Sequence, residues 1–205
     1  MKRFNHFWML AAAMLVGGAL LFTSCKEKTE TTENAQPSTE NVEDDGGYLA
    51  AVESYMTDTI GRDYAKGEVC VPCVIVVDTD ESNPDDVQVW GDFWVFNYNI
   101  EGDTLKTVSG GNHPGLMHLR KGESGYEVTG FDAVADGSDN TPSAKKIFGD
   151  KYEAFQKIQS DSDSREQTRA NILADYVKKN GLSVKFYQDY GWPAVALPDS
   201  VIVKK

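Results

Sequence analysis

Two cysteines three residues apart, Cys70 and Cys73 in CVPC, are the first groups here whose spacing suits chemistry. A Cys-x-x-Cys pair exchanges electrons when the start of a helix acidifies its first thiol. Here the pair runs into VIVVDTD, which is β-branched and opens no helix, and no βαβ pattern precedes it. In an extended segment, residues three apart point to opposite faces. The two sulfurs meet only if Pro72 bends the chain. That favours a structural or incidental role over a redox centre. A Cys70–Cys73 disulfide stays open as an alternative, because an exported chain meets an oxidising compartment.

Carboxylates and imidazoles are the next candidates. DTDESNPDD (78–86) and DAVADGSDN (132–140) offer hard oxygen ligands of the kind calcium takes. Neither matches an EF-hand loop: in the first, Asn83 stands at the glycine position and Val89 at that of the bidentate glutamate. Both read as solvated turns. His113 and His118 are the two histidines beyond the leader, and two imidazoles without a third ligand make a weak metal site. No metal or other cofactor is expected. No nucleophile elbow, HExxH or phosphate-cradling loop is present.

The strongest candidate for a binding surface is aromatic. Along VQVWGDFWVFNYNI (87–100), Trp90, Asp92, Trp94, Phe96 and Tyr98 share one strand face; Val89, Phe93 and Val95 share the other. The tail YQDYGWP adds Tyr187, Tyr190 and Trp192. Flat rings beside Asp92, Asp189 or His118 suit a small ligand such as a sugar. The candidate pocket is therefore Trp90, Asp92, Trp94, Tyr98, His118, Tyr190 and Trp192. The alternative is a filled core, since aromatic residues dominate burial in any case.

These residues need elements to position them. GYLAAVESYMTDTIG has helical spacing, with Gly61 as its stop. VCVPCVIVVDTD and VQVWGDFWVFNYNI read as strands joined by ESNPDD. EGD marks a hairpin into TLKTVSGG. NHPG reads as a turn before LMHLRK, and GESG as a turn before YEVTGFDAVADG. The period then changes: Ile147, Tyr152, Phe155 and Ile158 mark one helix or a broken pair. SDSDSREQTRANILADYVKKNG is a further helix with apolar Leu173, Tyr176 and Val177. Asp163/Glu166 or Ser164/Gln167 supplies its capping box. A final strand and aromatic tail follow. Consecutive hairpin strands followed by helices predict an α+β domain. Its plan is a curved antiparallel sheet, with the N-terminal helix and two C-terminal helices packed on one face. Cystatin-like and NTF2-like cones have this plan by analogy.

The first 24 residues read as an address. Lys2 and Arg3 precede an apolar run, Phe7 to Phe22, then Thr23, Ser24 and Cys25. The run is shorter than the ~20 residues a spanning helix needs, so it reads as a signal peptide. A cysteine directly after small residues resembles a bacterial lipobox, with Phe22 where leucine is commonest. Such a signal implies diacylation of Cys25, and two or more acyl chains give stable anchoring. Lys26 to Gly47 has almost no apolar residue, which suits a disordered tether with ends roughly 25 Å apart. Residues 48–205 then form a single globular domain. The chain has 20 basic and 32 acidic residues; without Lys2 and Arg3 this leaves 18 against 32, a charge of −14. Such a charge argues against nucleic acid or an anionic membrane surface as partner.

VWGDFWVFNYNIEGDTLKTVSGGNHPGLMHL, with GYEVT, ADGS, AKKIFG and YQDYGWPAV, resembles a family of lipoproteins of Bacteroidetes-type bacteria over residues 48–198. The resemblance implies a lipid-anchored protein of the cell envelope, with the outer membrane as expected location. It carries over no activity and no catalytic residue. The expected function is a non-catalytic binding or interaction module held to the membrane by its N-terminal lipid. Such a module would bind through the aromatic pocket, with a small molecule or glycan as candidate ligand, or through an acidic surface to an unspecified protein partner; a structural envelope lipoprotein with no small ligand is a further alternative. The competing expectation is a small NTF2-like enzyme with Asp92 as general base and His118 or a tyrosine as its partner.

Overall fold

Alternating β-branched and aromatic residues build long strands, and in the computed structural model four of them form a meander. The structure describes residues 47–199, all within one unit. The expected signal peptide, the expected lipidation site Cys25 and the expected tether up to residue 46 lie outside the described residues. β1 (Val69–Asp80), β2 (Val87–Glu101), β3 (Thr104–Gly122) and β4 (Gly125–Ala133) pair antiparallel in chain order. Gly102, with φ of +64°, makes the tight β2–β3 turn that EGD foretells.

Short β5 (Phe186–Gln188) then pairs parallel with the start of β3, and β6 (Val195–Ala196) pairs antiparallel with β5. The sheet is therefore mixed rather than wholly antiparallel. The long helical excursion between β4 and β5 supplies the crossover that a parallel neighbour requires. The domain is α+β, with a strongly curled half-barrel sheet and packed helices. Register shifts at Val76/Asp78, Asn97/Tyr98 and His118/Leu119 mark the bulges that bend it.

NHPG does not turn the chain. Asn112 to Gly115 stay in β3, opposite Trp94 to Gly91 of β2. The carbonyl of Pro114 accepts from Val134 N at 2.9 Å, so its ring nitrogen faces that same edge. The missing N–H therefore removes no β2–β3 bond.

Helix α1 (Tyr48–Asp58) ends in a 3-10 turn over Ile60–Asp63. Its Val52 and Met56 pack on Val87, Val89, Phe93 and Val95 of β2. After β4, α2 (Asn140–Phe148) and α3 (Tyr152–Ser160) are a broken pair, separated at Gly149 with φ of +53°. α4 (Ser162–Lys179) follows directly. Its cap is Asp161, whose side chain accepts from Ser164 N at 2.9 Å. The helix thus begins before the expected capping box, because α3 ends just one residue earlier. Leu173 and Val177 of α4 pack on Val71, Cys73, Phe96 and Tyr98. Phe148 and Phe155 stack at 4.1 Å and join Trp90 in a third cluster. Side chains alternate along a strand, so α1 and α4 hold the two opposite faces of β2.

Candidate functional site

Asp92 organises the interior. It sits within β2, opposite Ile75 of β1 and Pro114 of β3, and is 0% exposed. A buried carboxylate persists only when donors replace the lost water. Three do so. Asn112 Nδ2 on β3 and Gln159 Nε2 on α3, the latter at 2.9 Å, donate to Oδ1. Trp94 Nε1 donates to Oδ2 at 3.0 Å. Burial pushes the Asp92 carboxyl above the usual range, while these donors and the Arg165 guanidinium pull it partly back.

Those donors line two cavities. Trp94 belongs to the first, of about 270 Å³, between α4 and the β1–β2 face. Its other walls include Cys73, Ile75, Phe96, Arg165 and Arg169. Trp94 and Phe96 stack with centroids 5.6 Å apart and planes 9° apart. Arg165 lies over Trp94 at 5.7 Å and Arg169 over Phe96 at 3.9 Å.

Asn112 and Gln159 belong to the second cavity, of about 250 Å³. It opens where β3 is bare on one edge: β5 pairs with it only as far as Lys106, and its pairing with β4 starts at Gly115. Tyr64, His113, Asp136, Asn140 and Gln156 complete the polar part of its wall, and Phe155 adds an apolar ring. Tyr64 Oη lies 2.8 Å from His113 Nε2. Burial lowers the His113 pKa, against the nearby carboxylates Asp136 and Asp63. A Cβ on Gly111 would meet the Tyr64 hydroxyl, so that ring could not keep this position.

The seven residues expected to form one pocket do not share one. Trp94 lines the first cavity. Asp92 and Tyr98 are wholly buried behind the walls. Trp90 donates from Nε1 to Ile147 O at 3.0 Å and carries Lys151 over its ring at 4.5 Å, as part of the α2–α3 core. His118 is bonded to Asp86 at 2.7 Å, with Asp132 3.6 Å from its other nitrogen. It thus joins the inner ends of the two acidic clusters, away from Asp92. Among the described residues, no three histidine, cysteine or acidic side chains converge as metal ligands.

Tyr190 and Trp192 stand in solvent, 97% and 72% exposed. Their turn is fastened from below, where Arg169 donates to both Asp189 oxygens at 2.8 Å and to the Tyr98 hydroxyl at 2.9 and 3.1 Å. Thr107 adds a 2.6 Å bond to Asp189. The Asp189 carboxyl is held below its usual range, mainly by Arg169.

Cys70 and Cys73 are free thiols. The alternative of a disulfide between them fails because Pro72 pairs with Val95 in the ladder and does not bend the strand. Cys73 lies in the core under α4 and Cys70 in the core under α1. Burial pushes the Cys73 thiol up to about 12 and raises Cys70 too. Both shifts are opposite to what thiol exchange needs.

Arg165, Arg169, Asn112, Gln159 and Tyr64 have no place in the sequence-derived pocket. One signal pointed to two of them. Arg165 and Arg169 extend the stripe of Leu173 and Val177 at spacings of four, so they fall on the helix face turned to the sheet. For the two amides no local pattern exists, because their partner Asp92 is distant in the chain.

The chain matches no protein-family model, no curated protein and no solved structure. Among the described residues no helix is long and apolar enough to cross a membrane.

Proposed function

We propose that this chain is a non-catalytic, lipid-anchored binding module of the bacterial envelope, and that its ligand is a small uncharged polyhydroxylated molecule of the sugar type. The cavity at the bare edge of β3 would receive it. Anchoring at Cys25 and the tether rest on the leader's pattern. The observation that carries the ligand reading is the use made of Asp92: its carboxylate takes one N–H from each of Asn112 and Gln159. That fixes how both amides sit in the cavity wall and leaves their carbonyl oxygens unused by that contact.

A hydroxyl both donates and accepts, and so does an amide. Four amides line this wall with one carboxylate and no lysine or arginine, and the Phe155 ring offers an apolar surface. Such a lining suits neutral polyols and disfavours anions. Asp92 itself is sealed behind its three donors, which supports binding over general-base catalysis.

Isothermal titration of the full chain against a panel of neutral mono- and disaccharides tests this. Binding that weakens at least tenfold in Asn112→Ala is expected, measured well below a melting temperature that itself falls because the buried Asp92 loses a donor. Absence of binding throughout the panel, or equal binding by the variant, would overturn the reading.

A further inference from the structure

The first cavity has a chemistry of its own, and it turns on Arg165. Arg165 and Arg169 lie four apart on α4 and so project side by side toward β2. Their situations differ. Arg169 is occupied: its guanidinium donates to Asp189, Tyr98 and Thr107. Arg165 is not. Its Nε is buried and has no hydrogen-bond partner among the described residues.

The neighbouring acids are already engaged. Asp189 is taken by Arg169, Glu166 accepts from the Tyr187 hydroxyl at 2.8 Å, and Asp92 is taken by its three donors. Glu166 and Asp189 share the wall of this cavity of about 270 Å³, yet each is bonded elsewhere, and the positive, planar donor group of Arg165 lines it without an ion pair of its own among the described residues. A guanidinium in that position matches a carboxylate, which can accept from two of its N–H groups at once.

The rest of the wall says what should carry the carboxylate. Trp94 and Phe96 present nearly parallel rings, and Ile75 and Cys73 continue the apolar surface. Flat rings prefer an offset-stacked flat partner. The volume lies just below the usual range for ligand sites, roughly 300–1,000 Å³, so the guest is small.

We propose that this cleft is a second binding site, distinct from the polyol cavity, for a small monocarboxylate borne on a flat apolar body, with Arg165 as the carboxylate receptor and Trp94 as the stacking wall. The two cavities share no lining residue, so this site stands or falls separately from the sugar-type reading.

Benzoate and benzamide share size and ring but differ in charge and in one acceptor exchanged for an NH2 donor, the two features a guanidinium reads, and serve as the pair of probes. With the full chain, saturable quenching of tryptophan fluorescence by benzoate is expected, at least tenfold tighter than by benzamide. The quenching should disappear in Trp94→Phe, which removes the reporting ring. Arg165→Met should bring benzoate down to the benzamide level, and Arg165→Lys should restore part of the difference. Equal binding of the two probes, no binding of benzoate, or undiminished benzoate binding by Arg165→Met would each overturn the proposal. The benzoate–benzamide comparison needs no variant, so it decides the matter even if a substitution fails to fold.

Discussion

Replacing Arg169 by methionine isolates what fastens the aromatic turn. The arginine side chain is 8% exposed and its Asp189 partner 39%. Removing one member of a buried pair costs about 3–5 kcal/mol, because a charge is left uncompensated. Here the orphaned carboxylate is partly wet, and solvent screens it, so the lower end applies: a loss of about 3 kcal/mol. For a domain of this size that corresponds to a fall in melting temperature of roughly 6–12 °C.

The pH dependence has a definite sign. Asp189 has its carboxyl depressed in the folded state. Its contribution is present above the unfolded carboxylate value and is lost as pH falls through the folded one. The gap between wild type and Arg169→Met is therefore full near neutrality and narrows in acid. Urea unfolding followed by circular dichroism, at about pH 7 and about pH 3, measures both quantities. Hydrogen exchange adds a local readout: the amides of Tyr190 to Trp192 should lose protection in the variant before those of β2. A cost below about 1 kcal/mol, as for an ordinary surface pair, would refute the reasoning. So would a gap that is the same at both pH values.

The thiols and the Gly111 contact give two more tests. With iodoacetamide and mass spectrometry, the half-buried Cys70 should be alkylated in the native state well before Cys73, whose thiol burial pushes up to about 12. Mild oxidation should leave both unbridged. Gly111→Ala places a methyl against the Tyr64 hydroxyl, so it should destabilise the domain by about 1–3 kcal/mol in chemical denaturation. It should also shift the His113 ring resonances, because the Tyr64–His113 bond must give way.

Much of the architecture was legible because it is written in local patterns. The β-branched run from Val69 and the alternation from Val87 specify strands, and Gly102 between them and TLKT specifies the hairpin. The change of period after β4 specifies helices, and Gly149 decides between one and two. What the patterns could not convey is set by tertiary pairing. NHPG has turn composition, yet β2 is long enough to hold its whole length in a ladder. β5 has just three residues, too few to show whether its partner runs parallel. Both faces of β2 are apolar, and nothing local says which one α1 takes.

The site was less legible, for a related reason. Strand alternation placed Trp90, Asp92, Trp94 and Tyr98 on one face, and they do share it. Sharing a face is not sharing a cavity. The face runs under three different helices, and each covers a different part: α2 and α3 fill the space around Trp90, α4 with Arg169 fills that around Tyr98, and the gap remains at Trp94. Where helices seal a sheet and where they leave room depends on side chains such as Arg165 and Gln159. Their distance from β2 in sequence exceeds any local pattern. The aromatic tail failed for the opposite reason. YQDYGWP looks like core by composition, but Asp189 is drawn inward by Arg169, and a tight turn at Gly191, with φ of +79°, then throws Tyr190 and Trp192 outward. A polar residue held in the interior can decide the fate of its aromatic neighbours. The buried charges Asp92 and Arg169 are therefore more informative about this molecule's working surfaces than its rings are.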